Sequence, residues 1–462
     1  MASEVEYNDF MEINQIVANQ RAFFYTHKTQ SLAFRKEALI RLEKAIKQNH
    51  DAIFEAFKKD FNKCEFDVLS TELFCVQNEI KYFKRHLKSL MRPKNARAGL
   101  TNFFSRGKIV SNPRGVVLVV SPWNYPLQLT LVPLVGAIAA GNTVVVKPSS
   151  YSPNVSAVIK KILSVFDDEF VAVVEGGREQ NAQLFDCKFD FIFFTGSQNV
   201  AKVLMQKASA NLTPVMLELG GKSPCIVDRD ADIKLAAKRI VWGKFLNAGQ
   251  TCVAPDYIWV QEEIKQKFVY EVKLQIKEQL YPDGWLSNEF PHIINQKHVE
   301  RLKQLIDQEK LVFGGAVKDR LVEPTVLDGV TFDDSVMKEE IFGPIMPILT
   351  FKDFSEIEQK LSTLPKPLAL YYFGHNKQNI KTVETRLQFG GGAINEVIMH
   401  LVAPGLPFGG VSESGMGAYH EKKSFEIFSH QKSVLKKGKI ELGLKYPPHT
   451  KKKMKIMRFL AK

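Results

Sequence analysis

Between Gly115 and Gly221 the chain alternates short, unbroken apolar runs with helix-like segments. The runs are GVVLVV, TVVVKP, FVAVVEG, FDFIFFTGS and PVMLELGG, and helical stretches begin near Leu127, Ser152 and Asn199. A strand that is apolar at every position, rather than at alternate ones, must be buried on both faces, and the intervening helices supply the covers. The pattern predicts a parallel, doubly wound α/β sheet, an architecture that binds ligands beyond the carboxyl ends of its strands. Trp123, Asn124, Lys147, Gly196 and Glu218 fall at or just after those ends. A second α/β pattern runs from Pro224 to about Val411, with DYIWVQ, EPTVL, IMPILTF and ALYYFGH as strands, and predicts a second domain. Residues from about Ser31 to Met91 read as helical, with Phe34, Leu39, Leu42 and Ile46 on one face of the first segment.

A chain of 462 residues is too long for one core, so more than one packed unit is expected. The longest apolar stretch, Leu129 to Val146, approaches the length of a membrane span, but Pro133 and the Gly141-Asn142 pair divide it into a buried helix, a turn and a buried strand. The N-terminus, MASEVEYNDFMEINQ, has no basic segment followed by an apolar one, so it does not read as a secretory signal. Five cysteines, at 64, 75, 187, 225 and 252, form no C-x-x-C pair, which points to reduced thiols in a cytoplasm and to no metal site. The net charge is +13, but residues 435–462 hold ten Lys and Arg against Glu441 alone, so the body is nearly neutral. Nucleic acid is therefore not expected as a partner, and the tail is the basic element.

Three features carry chemistry. Cys252 lies in FLNAGQTCVAP, a small-residue stretch after a helix, where Gly249 allows a close backbone approach to a ligand. Glu218 ends the apolar strand of LELGG and is followed by two glycines that leave room for a bound molecule. A nucleophile and a base together are more informative than either alone. In SPWNYP two prolines fix a loop from which Asn124 could aim its amide N–H at developing negative charge, as in an oxyanion hole.

The ordered set SPWNYP, VVVKPS, FTGS, LELGGKSP, NAGQTC, EEIFGP and LPFGGV, from about Leu118 to Val411, resembles the aldehyde dehydrogenase superfamily. The run HLVAPGLPFGGVSESGMGAYHEKKSFEIFSH looks most like its class 3 branch, which acts on fatty and aromatic aldehydes. The resemblance implies that Cys252 attacks the aldehyde carbon, that Asn124 and the Cys252 backbone N–H hold the oxyanion, and that Glu218 activates the water that hydrolyses the thioester. It implies NAD or NADP as cofactor, with Lys147 at the adenosine ribose, Glu340 at the nicotinamide ribose, Phe342 beside the nicotinamide, and Trp123, Gly196 and Ser197 in the same site. A CoA-acylating enzyme and an inactive, membrane-associated scaffold are the alternatives. The first typically lacks a glutamate where Glu218 stands, and the complete set Asn124, Glu218, Cys252 and Glu340 argues against the second.

Two positions depart from the family pattern. Ala201 stands where a second glycine is common, and Ser150 stands where many NAD-preferring members carry an acid. Without that carboxylate a 2′-phosphate meets less repulsion, so NADP should be accepted. Tyr125, Trp242 and Met399 are candidate pocket residues for an apolar aldehyde. The resemblance further implies an NAD(P)-binding domain over 1–99 and 112–217, a catalytic domain over 218–411, and an oligomerisation arm over 100–111 and 412–435 that supports a homodimer. A basic tail over 436–462 completes the chain, and KKKMKIMRFLAK within it reads as a basic amphipathic helix suited to peripheral contact with the inner face of a membrane.

Overall fold

The computed structural model describes residues 2–99, 102, 104–441 and 443–461, with side chains from residue 12 onward. The chain divides into a larger unit, Met1–Leu90 with Pro113–Ser429, and a smaller one, Met91–Asn112 with His430–Lys462.

The larger unit holds two parallel sheets. The first has six strands in the order Gly415–Met416, Val215–Leu219, Phe191–Gly196, Val116–Val120, Thr143–Lys147 and Val171–Val173, parallel except for the antiparallel edge pair of Gly415–Met416 with Leu217–Glu218. Every residue of the Val116–Val120 and Thr143–Lys147 strands is buried, as their unbroken apolar runs require. The second sheet has seven strands in the order Leu311–Phe313, Thr325–Asp328, Ile345–Phe351, Tyr257–Gln261, Pro224–Val227, Ala369–Phe373 and Gly391–Ile394. Only Leu311–Phe313 runs antiparallel to its neighbour.

The apolar stretch around Pro133 folds as its punctuation demands. A fully buried helix, Gln128–Ala140, ends at Gly141 with φ +93°, and the Thr143–Lys147 strand follows. Asn142 closes the turn: its Nδ2 donates to the Ala137 and Phe428 carbonyls, and its Oδ1 accepts from Gly115 N–H. Among the described residues no helix is long and apolar enough to cross a membrane.

The smaller unit contains a three-stranded sheet in the order Lys94–Ala96, Ser105–Pro113, Ser429–Lys437, and a helix, Lys451–Leu460. Leu100, Thr101 and Phe103 of the expected arm lie outside the described residues. Residues 94–96 join its sheet, whereas Gly415–Met416 pairs with the strand that carries Glu218, which keeps 412–428 in the larger unit.

Candidate active site

Glu218 arrives on a strand of the first sheet and Cys252 on a loop between a helix and a strand of the second. The Val215–Leu219 strand runs beside Phe191–Gly196 with Glu218 opposite Thr195, which sets the carboxylate at the carboxyl end of the first sheet. Cys252 follows the Ile233–Phe245 helix and a turn at Leu246–Gly249, in which Asn247 (φ 53°), Ala248 (φ 51°) and Gly249 (φ +73°) are all left-handed. Such a run in two non-glycine residues costs about 1 kcal/mol or more each, and it persists because its neighbours hold it. Asn247 Nδ2 donates to the Asn124 and Gln250 carbonyls at 2.9 and 3.2 Å, and Gln250 accepts from Ile294 N–H at 3.0 Å.

The result is a thiol that donates from Cys252 Sγ to Glu218 Oε1 at 3.4 Å. Glu218 is buried, and desolvation raises its pKa to about 7, against the lowering effect of the hydrogen bond from Cys252. Burial and the Glu218 and Glu340 carboxylates push the Cys252 thiol well above its usual pKa. The resting pair is therefore a neutral thiol beside a carboxyl group poised to take its proton near neutral pH. Asn124 is also buried, and its Nδ2 donates to the Gln250 carbonyl at 3.1 Å, which orients the amide and leaves its second N–H for an oxygen in the cleft.

The two glycines after Glu218 line the cleft, and Gly220 also makes room for protein. A Cβ on Gly220 would lie 2.1 Å from Glu340 Oε2, so the space is taken by the half-buried Glu340 side chain. Desolvation and nearby Asp256 raise the Glu340 pKa to about 8. Gly249 likewise makes its close approach to protein and not to a ligand: a Cβ there would stand 2.2 Å from the Gly343 carbonyl oxygen. That packing ties the Cys252 loop to the loop of Glu340 and Phe342.

A cleft of about 670 Å³ collects Trp123, Asn124, Gly196, Ser197, Glu218, Cys252, Glu340 and Phe342. Trp123 and Phe342 meet edge to face with ring centroids 5.3 Å apart. Ser197 Oγ caps the Gln198–Ala210 helix, whose amino end faces the cleft and offers free N–H groups to an anion. Lys147 and Ser150 are not among the lining residues; they lie at the end of the neighbouring Thr143–Lys147 strand. The Lys147 amine donates to the Pro148 and Gly176 carbonyls at 2.8 and 2.7 Å, and burial lowers its pKa to about 8. Ala201 packs into the core beneath the first sheet. Of the pocket candidates, Tyr125 is buried, while Trp242 and Met399 are exposed.

Sequence reasoning missed the groups that hold this constellation. Lys222 donates to Asp256 Oδ2 at 2.5 Å and to the Val336 and Glu339 carbonyls, while Asp256 Oδ1 accepts from Ile341 N–H at 2.9 Å. Arg301 donates to the Glu340 and Ile341 carbonyls. Lys222 and Asp256 stand inside or just beyond the LELGGKSP and NAGQTC motifs, and that adjacency was the available signal.

The aldehyde dehydrogenase family profile matches residues 1–434. The chain is 45% identical over 453 residues, covering 97% of it and 99% of the relative, to 4,4′-diaponeurosporen-aldehyde dehydrogenase of Staphylococcus aureus. It is 40% identical over 449 residues, covering 96% and 93%, to aldehyde dehydrogenase family 3 member A2 of Rattus norvegicus. The solved substrate-bound state of Staphylococcus aureus AldH superposes with a TM-score of 0.95 at 45% identity, covering 97% of this chain and 99% of that one. With its relatives among the class 3 members, the chain belongs to the aldehyde dehydrogenase family, whose members use NAD(P)+ to oxidise an aldehyde to its acid.

Proposed function

We propose that this enzyme oxidises an apolar aldehyde through a thioester on Cys252 and releases the acid by hydrolysis. The observation that carries the reading is the Cys252 Sγ to Glu218 Oε1 contact of 3.4 Å in a cleft that also holds Asn124. Glu218 takes the thiol proton as Sγ bonds to the aldehyde carbon, and the second N–H of Asn124 with the Cys252 backbone N–H holds the resulting oxyanion. NAD(P)+ bound in the cleft supplies the hydride acceptor that converts this adduct to the thioester. Glu218 passes that first proton to solvent, takes another from water as the water oxygen attacks the thioester carbon, and returns it to the sulfur as the C–S bond breaks.

The residues present fit that cofactor. The cleft is large enough for a nicotinamide and its ribose, Glu340 supplies a carboxyl group for ribose hydroxyls, Phe342 and Trp123 supply ring faces, and the amino end of the Gln198–Ala210 helix suits a pyrophosphate. Lys147 and Ser150 would receive the adenosine ribose beyond the cleft. With serine at 150, NADP is accepted beside NAD. The relatives' names, which include a diaponeurosporenal dehydrogenase, favour an apolar substrate. Turnover of aliphatic aldehydes of increasing length and of benzaldehyde, with each cofactor, tests the reading; a preference for short polar aldehydes would sink it.

The first sheet and its helices form the NAD(P)-binding half and the second sheet the catalytic half, in a cytoplasmic homodimer. The Lys451–Leu460 helix, capped by Thr450 and exposing Met454, Ile456, Met457, Phe459 and Leu460 among lysines, lies on an anionic membrane surface.

A further inference from the structure

Lys63 follows the His50–Phe61 helix and is buried, with only 2% of its surface exposed. Its Nζ has no hydrogen-bond partner among the described residues. The amine sits 4.4 Å above the Tyr125 ring, 5.5 Å from that of Phe57 and 5.8 Å from that of Phe61, and 3.6 Å from Glu72 Oε1. Glu72 is fully buried as well, in a π-helical turn, Leu69–Leu73, that widens an otherwise α-helical segment. Its other oxygen accepts from Gln128 N–H at 2.7 Å, at the start of the helix that follows the Asn124 loop.

A buried ion pair is a poor source of stability, because an apolar pair of the same volume serves as well or better. Its placement is what distinguishes this one. Tyr125 directly follows Asn124, and its hydroxyl shares a 2.7 Å hydrogen bond with Thr251 Oγ1, directly before Cys252. That one bond joins the neighbours of both groups assigned to the oxyanion.

We propose that Lys63 and Glu72 are positioning residues that clamp the Asn124 loop against the Cys252 loop, Lys63 through the face of Tyr125 and Glu72 through the start of the Gln128–Ala140 helix. Lys63 presses the Tyr125 ring by cation–π attraction, which aims the hydroxyl at Thr251. Glu72 holds the other end of the loop, so Asn124 is fixed from both sides. This inference rests on the roles assigned above to Cys252 and Asn124.

The test is the single-turnover rate of cofactor reduction, measured beside thioester hydrolysis, cofactor KM and thermal melting, in the double variant Lys63→Met/Glu72→Gln. Methionine keeps an apolar stem and glutamine keeps an acceptor for Gln128 N–H, so both charges leave together. A loosened oxyanion loop should slow cofactor reduction roughly ten- to a hundredfold, since misplacement of reacting groups by about an ångström costs that much. Hydrolysis of the preformed thioester, whose tetrahedral adduct places its oxyanion at the same donors, should slow with it, while cofactor KM should stay near wild type. An unchanged single-turnover rate overturns the proposal. Should the double variant unfold, Tyr125→Phe carries the test: it keeps the ring over Lys63 but removes the bond to Thr251, and must also slow cofactor reduction. A wild-type rate in Tyr125→Phe overturns the proposal equally. Turnover surviving in Cys252→Ala defeats the underlying reading, whereas an inactive Cys252→Ala beside a wild-type rate in the clamp variants defeats the clamp alone.

Discussion

Cys252 and Glu218 differ in what their removal should do. Replacing the proposed nucleophile, Cys252→Ala, should lower kcat by at least about 1,000-fold while the melting temperature stays close to wild type, because no other cysteine stands in a matching motif. Glu218→Gln should let part of the acylation proceed and stall hydrolysis by about 100-fold or more, leaving a covalent adduct visible by intact mass; full steady-state turnover without adduct would rule out the base role. The direction of the pH dependence follows from the shift. Burial raises the Glu218 pKa to about 7, and a base works only when deprotonated, so hydrolysis should climb as pH rises through about 7 and level off above it. A flat profile from weakly acidic to weakly basic pH would place another group in charge. Ser150→Glu should shift the ratio of kcat/KM values toward NAD and away from NADP, as a carboxylate near a 2′-phosphate repels it. An unchanged ratio would mean that position 150 does not meet the ribose.

At the level of elements, the loops matter more than the sheets they join. A strand brings Glu218 to the carboxyl end of the first sheet, and the loop after the left-handed turn at Asn247–Gly249 sets the Cys252 sulfur beside that carboxylate. Gly249→Ala should therefore damage both stability and activity. Its φ of +73° disfavours any L side chain, and its Cβ would stand 2.2 Å from the Gly343 carbonyl oxygen. A loss of about 2 kcal/mol or more is expected from strain and overpacking together, read as a fall in denaturant midpoint, with kcat reduced as Glu340, Phe342 and Cys252 shift. A variant with wild-type stability and turnover would show that the two loops can slide apart without consequence.

For the whole molecule, the exposed features of the smaller unit suggest what it meets. The Ser429–Lys437 strand forms one edge of its sheet, is exposed along most of its length, and carries Val434 and Leu435 outward. An open edge with apolar side chains favours pairing with a second copy, so light scattering should report a homodimer. A monomer would refute it. Beyond that sheet, the amphipathic Lys451–Leu460 helix predicts sedimentation with anionic but not neutral vesicles, weakening as salt rises, and lost on truncation after Thr450. Equal partitioning of the full and truncated chains would leave the helix without this role.

The local code alone determined much of this protein. Unbroken β-branched runs demanded strands buried on both faces, the Gly141-Asn142 pair demanded a turn, and four of the motifs, SPWNYP, VVVKPS, FTGS and LELGGKSP, marked the ends of the strands where a site must form. These properties depend on nearest neighbours along the chain, which is why they were legible. Other outcomes depended on which distant segments meet. Tertiary structure decided that Gly220 makes room for Glu340 and Gly249 for the Gly343 carbonyl, because a glycine shows that something comes close but not what. It also paired Gly415–Met416 with the strand of Glu218, since an edge strand of two residues has no periodicity to read. The meeting of Lys63, Glu72 and Tyr125 across about sixty residues of chain is likewise a product of packing. Desolvation and charge proximity are set by the surroundings in space, and sequence spacing carries no record of them.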